Sequence, residues 1–220
     1  MKKEGVKIKI CCISSLAEAK LAIACGADAL GLVSAMPSGP GMIDEDLILR
    51  IAKKVPPPIA TFLLSSSQCA FDITRQQQKC RTNTIQICDR LQRSEMARLR
   101  VALPGIALVQ VIHVRDESSV KEALSIEPAV DALLLDSGNQ SLKIKELGGT
   151  GRAHDWNLSR EIRQRLSVPV FLAGGLRPDN VAKAIAAVRP FGVDVCSGVR
   201  SNGQLSETKL RKFIAAVRSA

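Results

Sequence analysis

A chain of 220 residues, 46% of them hydrophobic, carries enough apolar material for one sizeable buried core. No apolar run reaches the roughly 18 residues that span a bilayer, and "MKKEGVK" runs into a strand-like segment with no apolar signal region, so a cytoplasmic protein away from membranes is expected. The formal net charge of +10 favours anionic small molecules, whereas dispersed basic residues and only 3% aromatics argue against nucleic acid as a partner.

The first strand-like run, "VKIKICCI" (6–13), ends on adjacent thiols, Cys11 and Cys12, and is followed by helical spacing in "LAEAKLAIACG". "ADALGLVS" (27–34) precedes the helical "EDLILRIAKKV". "IATFLL" (59–64) and "TIQICD" (84–89) are each followed by a less regular segment, near 66–81 and 91–102, read as helices. "ALVQVIHV" (107–114) leads to "SSVKEALSI". "VDALLLDS" (130–137) leads through the longest connection, which holds "LGGTGRAHDW", to "NLSREIRQRL". "VPVFLAGG" (168–175) leads to "PDNVAKAIAAV", with Pro178 near the first helical turn and Asp179 adding acid there. "GVDVCSGV" (192–199) leads to the last helix, "ETKLRKFIAAVR".

Eight strands each followed by a helix imply parallel β-α units. The economical closure is a single-domain (β/α)8 barrel over residues 1–220, of the α/β class, with an open doubly wound sheet as the alternative. Such barrels place chemistry where strands end. Cys11 and Cys12 then belong to the rim after strand one, Asp136 after strand six, Gly174 and Gly175 after strand seven, and Ser197 and Gly198 after strand eight. The period of two along a strand predicts that Cys11 faces the barrel mouth and Cys12 points the other way.

The seven cysteines, at 11, 12, 25, 69, 80, 88 and 196, form no Cys-x-x-Cys pair, and His113 and His154 are far apart, so no metal site is expected. Most are read as reduced thiols, and several as small core hydrophobes. Adjacent cysteines close only a strained ring, which makes Cys11–Cys12 a poor structural disulfide and a redox role for that pair a minor alternative.

Glycine clusters "GGTG" (148–151), "AGG" (173–175) and "CSG" (196–198) fall on one rim. Each alone suits a tight turn. Together, with two of them after strands seven and eight, they predict backbone N–H groups converging on a phosphate.

"KICCIS", "GADALGLV", "VDALLLD", "LGGTGRAHDW", "PVFLAGGLRPDNVAKAI" and "RPFGVDVCSGV" resemble phosphoribosylanthranilate isomerases of tryptophan biosynthesis, from about residue 6 to 218. The resemblance implies an Amadori rearrangement of an N-linked phosphoribosyl amine to a 1-deoxyribulose phosphate, without metal or organic cofactor. It implies that Cys11 is the base and Asp136 the acid. It further implies that Gly149, Gly151, Gly174, Gly175, Ser197 and Gly198 hold the phosphate of a small anionic phosphosugar, in a monomer or homodimer. The plainer readings are a core thiol for Cys11 and a structural carboxylate for Asp136.

Three departures mark the anthranilate end. Cys12 stands where the family carries glycine. No arginine or lysine occurs from 32 to 49, where the family places an arginine on the anthranilate carboxylate. "QICDR" (86–90) has Cys88 in place of a histidine. Arg90, Arg115 and Arg152 are candidate replacements for the missing cation. Two other readings stay open: an isomerase for a different phosphoribosyl amine, and a non-catalytic barrel that binds a phosphometabolite.

Overall fold

The computed structural model describes residues 5–149 and 151–220. Eight parallel strands close into a barrel in chain order: β1 (Lys7–Ile10), β2 (Ala29–Val33), β3 (Ala60–Ser65), β4 (Thr84–Ile87), β5 (Ala107–His113), β6 (Ala132–Asp136), β7 (Val170–Leu172) and β8 (Gly192–Val195). The helices between them are α1 (Leu16–Cys25), α2 (Glu45–Ala52), α3 (Ala70–Cys80), α4 (Arg93–Ala102), α5 (Ser118–Ile126), α6 (Trp156–Arg165), α7 (Val181–Val188) and α8 (Glu207–Arg218). The two segments of weak periodicity are therefore helical, as expected. The open-sheet alternative is excluded by the β1–β8 pairing.

Side-chain caps explain four of the eight helix starts, at Ser15, Asp44, Asp155 and Ser206. Ser15 accepts a hydrogen bond from the Glu18 N–H at 3.1 Å, and the Glu18 carboxylate accepts one from the Ser14 N–H. Asp44 caps α2 and Asp155 caps α6. One start differs from expectation. α7 begins at Val181 rather than near Pro178, because Asn180 accepts from the Arg177 N–H and holds the "PDN" residues in a turn.

Strand alternation sorts side chains onto two buried faces. Ile8, Ile10, Leu30, Leu32, Leu63 and Leu135 pack outward against the helices. Burying each such side chain contributes about 1.5–3 kcal/mol, and this outer shell is the larger of the two. Ala29, Val33, Phe62, Val109, Leu134 and Phe171 fill the lumen.

The lumen also holds a charged pair. Lys9 is fully buried and faces Asp194 across the β1–β8 seam, with Nζ 3.0 Å from Oδ1. Its ammonium also lies 5.1 Å from the centre of the Phe62 ring. Burial alone would disfavour the charged form of Lys9. The Asp194 carboxylate, and beyond it the Cys11 sulfur, outweigh that and hold the ammonium firmly protonated.

A buried charge that loses its partner is costly, so Lys9→Met is expected to destabilise the fold by about 3–5 kcal/mol. The double variant Lys9→Met, Asp194→Leu recovers most of that loss. Denaturant unfolding of the two variants measures both terms, and equal losses in the single and double variants would defeat this account of the seam.

Candidate active site

The carboxyl-terminal ends of the strands surround a pocket lined by Cys11, Asp136, Asp194, Gly149, Gly151, Gly174, Gly175 and Ser197, among others. Seven of the eight residues singled out in the sequence as catalytic or phosphate-holding candidates therefore share one cavity. Gly198 is the exception. It packs behind the wall, where an added Cβ would stand 2.0 Å from the Leu176 carbonyl oxygen. Thr150 of the "GGTG" run lies outside the described residues.

The glycine loops meet edge to edge. An added Cβ on Gly175 would strike the Arg152–Ala153 backbone at 2.6 Å, so the loop after β7 and the long loop after β6 touch through bare backbone. His154 anchors the same region through Nε2, 2.6 Å from the Ser159 hydroxyl of α6. Burial depresses its imidazole to about 4, so it stays neutral through the physiological range.

Asp136 closes β6 with a buried side chain. Burial raises its carboxyl above the usual carboxylate range. The Ser137 N–H, 2.7 Å from Oδ1, and the imidazole of His113 oppose that rise, while Asp194 adds to it. Asp194 differs in having its own cation, Lys9. Burial raises both carboxyls, and they differ in what opposes the rise: the Lys9 ammonium for Asp194, chiefly the Ser137 N–H for Asp136.

Cys11 continues the β1 ladder by one bond, its N–H donating to the Val195 carbonyl at 2.8 Å. Its sulfur and the Lys9 Nζ stand 2.9 and 3.0 Å from the point where a Gly31 Cβ would be, so the ammonium supplies positive potential close to the sulfur. Only glycine at 31 leaves room for both.

Cys12 does not point away from the mouth. β1 ends at Ile10, and Cys12 takes a left-handed backbone with φ of 61°, which turns its side chain into the pocket beside Cys11. Period-two alternation fails here because the strand has already ended. The Cys12 sulfur lies 2.7 Å from that of Cys196. Contacts with Cys11 and Cys196, together with burial, raise the Cys12 thiol well above its ordinary range.

The far end of the pocket is built from Val33, Met36, Ser38, Pro40, Leu64, Cys88 and Leu147. Two loops meet over it: Ser38 donates to the Lys145 carbonyl at 2.6 Å, and Pro40 packs on Gly149. Among the described residues, no arginine, lysine or histidine side chain lines the pocket. Arg90 pairs with Glu122, Arg115 donates to Ser141, Arg152 pairs with Glu146, and Lys145 reaches Asp89 at 2.5 Å. No cluster of metal-binding side chains occurs among the described residues, and none of their helices is long and apolar enough to cross a membrane.

Sequence reasoning did not single out Lys9, Asp194 or Cys196. The available signal was a lysine and an aspartate set inside "KIKI" and "GVDV", strands otherwise meant for burial on both faces.

Gly41, at φ 81°, packs so closely on Cys12 that an added Cβ would stand 2.5 Å from the Cys12 Cβ. Gly41→Ala is expected to cost more than about 1 kcal/mol from the positive φ and the clash together. Cys12→Gly in the same chain should restore part of it, giving a coupling of about 0.5–3 kcal/mol in a double-mutant unfolding cycle. Strict additivity would show that the two residues do not press on each other.

Comparison with known proteins agrees with this geometry. Residues 8–216 match the family model described as N-(5'phosphoribosyl)anthranilate (PRA) isomerase. The chain is 34% identical over 213 residues to the N-(5'-phosphoribosyl)anthranilate isomerase of Methanocella arvoryzae, covering 96% of this chain and 98% of that protein. It superposes on the phosphoribosyl anthranilate isomerase of Thermotoga maritima with a TM-score of 0.84 at 28% identity, covering 98% of this chain and all of the other. A second solved structure, of an isomerase in complex with reduced 1-(o-carboxyphenylamino)-1-deoxyribulose 5-phosphate, gives a TM-score of 0.82 at 26% identity, with 98% and 100% coverage.

Proposed function

We propose residue roles from one premise: this chain belongs to the N-(5'-phosphoribosyl)anthranilate isomerase family. It is an aldose–ketose isomerase that converts N-(5'-phosphoribosyl)anthranilate to the corresponding 1-deoxyribulose 5-phosphate in tryptophan biosynthesis. The single observation that carries the mechanism is the placement of Cys11 and Asp136 on one cavity whose rim is the glycine loops.

The substrate phosphate sits against the backbone of Gly149, Gly151, Gly174, Gly175 and Ser197, with Gly198 holding Ser197 in position from behind. Asp136, whose carboxyl burial raises above the usual range, serves as the acid: in its protonated form it donates to the furanose ring oxygen, and the sugar opens to a Schiff base. Cys11, as thiolate in the potential of the Lys9 ammonium, removes the proton from C2′. The resulting enolamine tautomerises to the ketone. The aryl group lies against Val33, Met36, Pro40, Leu64 and Leu147.

Cys11→Ala and Asp136→Asn are each expected to lower kcat by about 10²–10⁴, the usual contribution of a positioned acid or base. Affinity for a phosphorylated product analogue should hold within about threefold in both, since neither residue touches the phosphate. Steady-state rates beside calorimetric binding separate the two effects. Asp136 works protonated and its carboxyl is raised, so kcat is expected to fall as pH rises through that elevated value. Retention of full kcat in either variant would overturn the assignment.

The aryl end predicts unusual tolerance. A charge-assisted contact to the anthranilate carboxylate would be worth about 1.5–3 kcal/mol, but no cation lines this end of the pocket. The kcat/KM for phosphoribosylanthranilate should exceed that for the aniline analogue by less than about threefold. A preference of tenfold or more would mean that a rim cation, Lys145 first, leaves its partner to take the carboxylate.

A further inference from the structure

Four thiols line or border the active cavity, yet the mechanism uses one. Cys88 is fully enclosed, and burial pushes its thiol far above the ordinary range. Cys12 and Cys196 are different. They come from the ends of the neighbouring strands β1 and β8, they touch through their sulfurs, and Cys196 is only partly buried.

Their setting suits thiol–disulfide exchange. The Cys12 contact comes first in depressing the Cys196 thiol; burial opposes it, and the nearby Arg200 guanidinium assists. Arg200 is itself fixed, donating to the Cys12 carbonyl oxygen and pairing with Glu18 at 2.9 Å. The geometry therefore holds a nucleophilic thiol, a resolving thiol in contact with it and a cation beside both. The left-handed turn at Cys12 is what aims the second sulfur at the first.

We infer that Cys12 and Cys196 form a reversible redox site, oxidised by small disulfides of the glutathione type, that switches the active site off. The Cys196 thiolate attacks one sulfur of the small disulfide, breaking its S–S bond and releasing one thiolate, to leave a mixed disulfide. The Cys12 thiol gives its proton to the released thiolate and attacks the Cys196 sulfur, expelling the second small thiolate, which takes up from water the proton that Cys196 had lost. Two protein thiols are oxidised and one small disulfide is reduced to two thiols. The new bond bridges the turn after Cys11 to the residue before Ser197, and so braces the base against the phosphate loop. This consequence rests on the roles proposed for those two residues. The bond itself does not.

The test uses the full chain, fully reduced and then exposed to glutathione disulfide. Mapping of proteolytic peptides is expected to show the segment holding Cys11 and Cys12 linked to the segment holding Cys196. The link should persist in Cys11→Ser and vanish in Cys12→Ser and in Cys196→Ser. Turnover of the unsubstituted enzyme should fall at least about tenfold and return with a dithiol reductant. Each variant is compared with its own reduced state, and Cys12→Ser and Cys196→Ser should lose less than about twofold on oxidation. Absence of the link, or its survival in Cys12→Ser, would overturn the site. A link that forms while the rate stays unchanged would overturn the switch and leave the mechanistic assignments untouched.

Discussion

The closing seam between β1 and β8 is the constraint on which the rest of the molecule depends. Seven of the eight strand junctions are made by consecutive strands, and the eighth joins the two ends of the sheet. That junction carries a fully buried ion pair, Lys9 with Asp194. Its charges are too costly to leave apart, so they define the register in which the first and last strands meet. Everything that makes the cavity chemical hangs from this register. Cys11 sits two residues above Lys9, Cys196 two residues above Asp194, and Asp136 is left as the carboxyl without a cation of its own.

Much of the fold was legible because its cause is local. β-branched runs of suitable length, separated by helical spacing, announce parallel β-α units, and a count of eight announces closure. The lining of the candidate site was legible where a strand end coincided with a chemically suitable residue, as at Asp136, or where glycines gathered on one rim. What escaped was non-local or followed the strand's last residue. "KIKI" reads as readily as a half-exposed strand, and nothing near Lys9 in the chain says that its counter-charge is Asp194. Cys12 was assigned to the wrong side because alternation was carried one residue past the strand, into a left-handed turn that alternation does not govern. The start of α7 was misplaced for a comparable reason: Asn180 spends its side chain on the turn at Arg177 rather than on capping.

The departures at the anthranilate end have a physical coherence. Replacing glycine by a cysteine in a left-handed turn needs space, and Gly41 from the loop after β2 provides it. That same loop carries no arginine, and instead lays Met36, Ser38 and Pro40 along the pocket. At the end of β4, Cys88 lines the wall while the next residue, the buried Asp89, takes Lys145 as its partner. The side of the pocket proposed to hold the aryl group is thereby enclosed by apolar atoms and loop-to-loop contacts, while the glycine loops proposed to hold the phosphate keep their bare backbone.

The sequence separation of the buried ion pair also bears on how the chain is made. Lys9 and Asp194 are 185 positions apart. On a ribosome adding about 5–20 residues each second, the lysine emerges on the order of 10–40 seconds before its counter-charge exists. Throughout that interval β1 has no edge to complete and its ammonium has no reason to leave water. The first strand can therefore be secured early on its β2 edge only, and the nascent protein must hold an unclosed sheet until β8 is made.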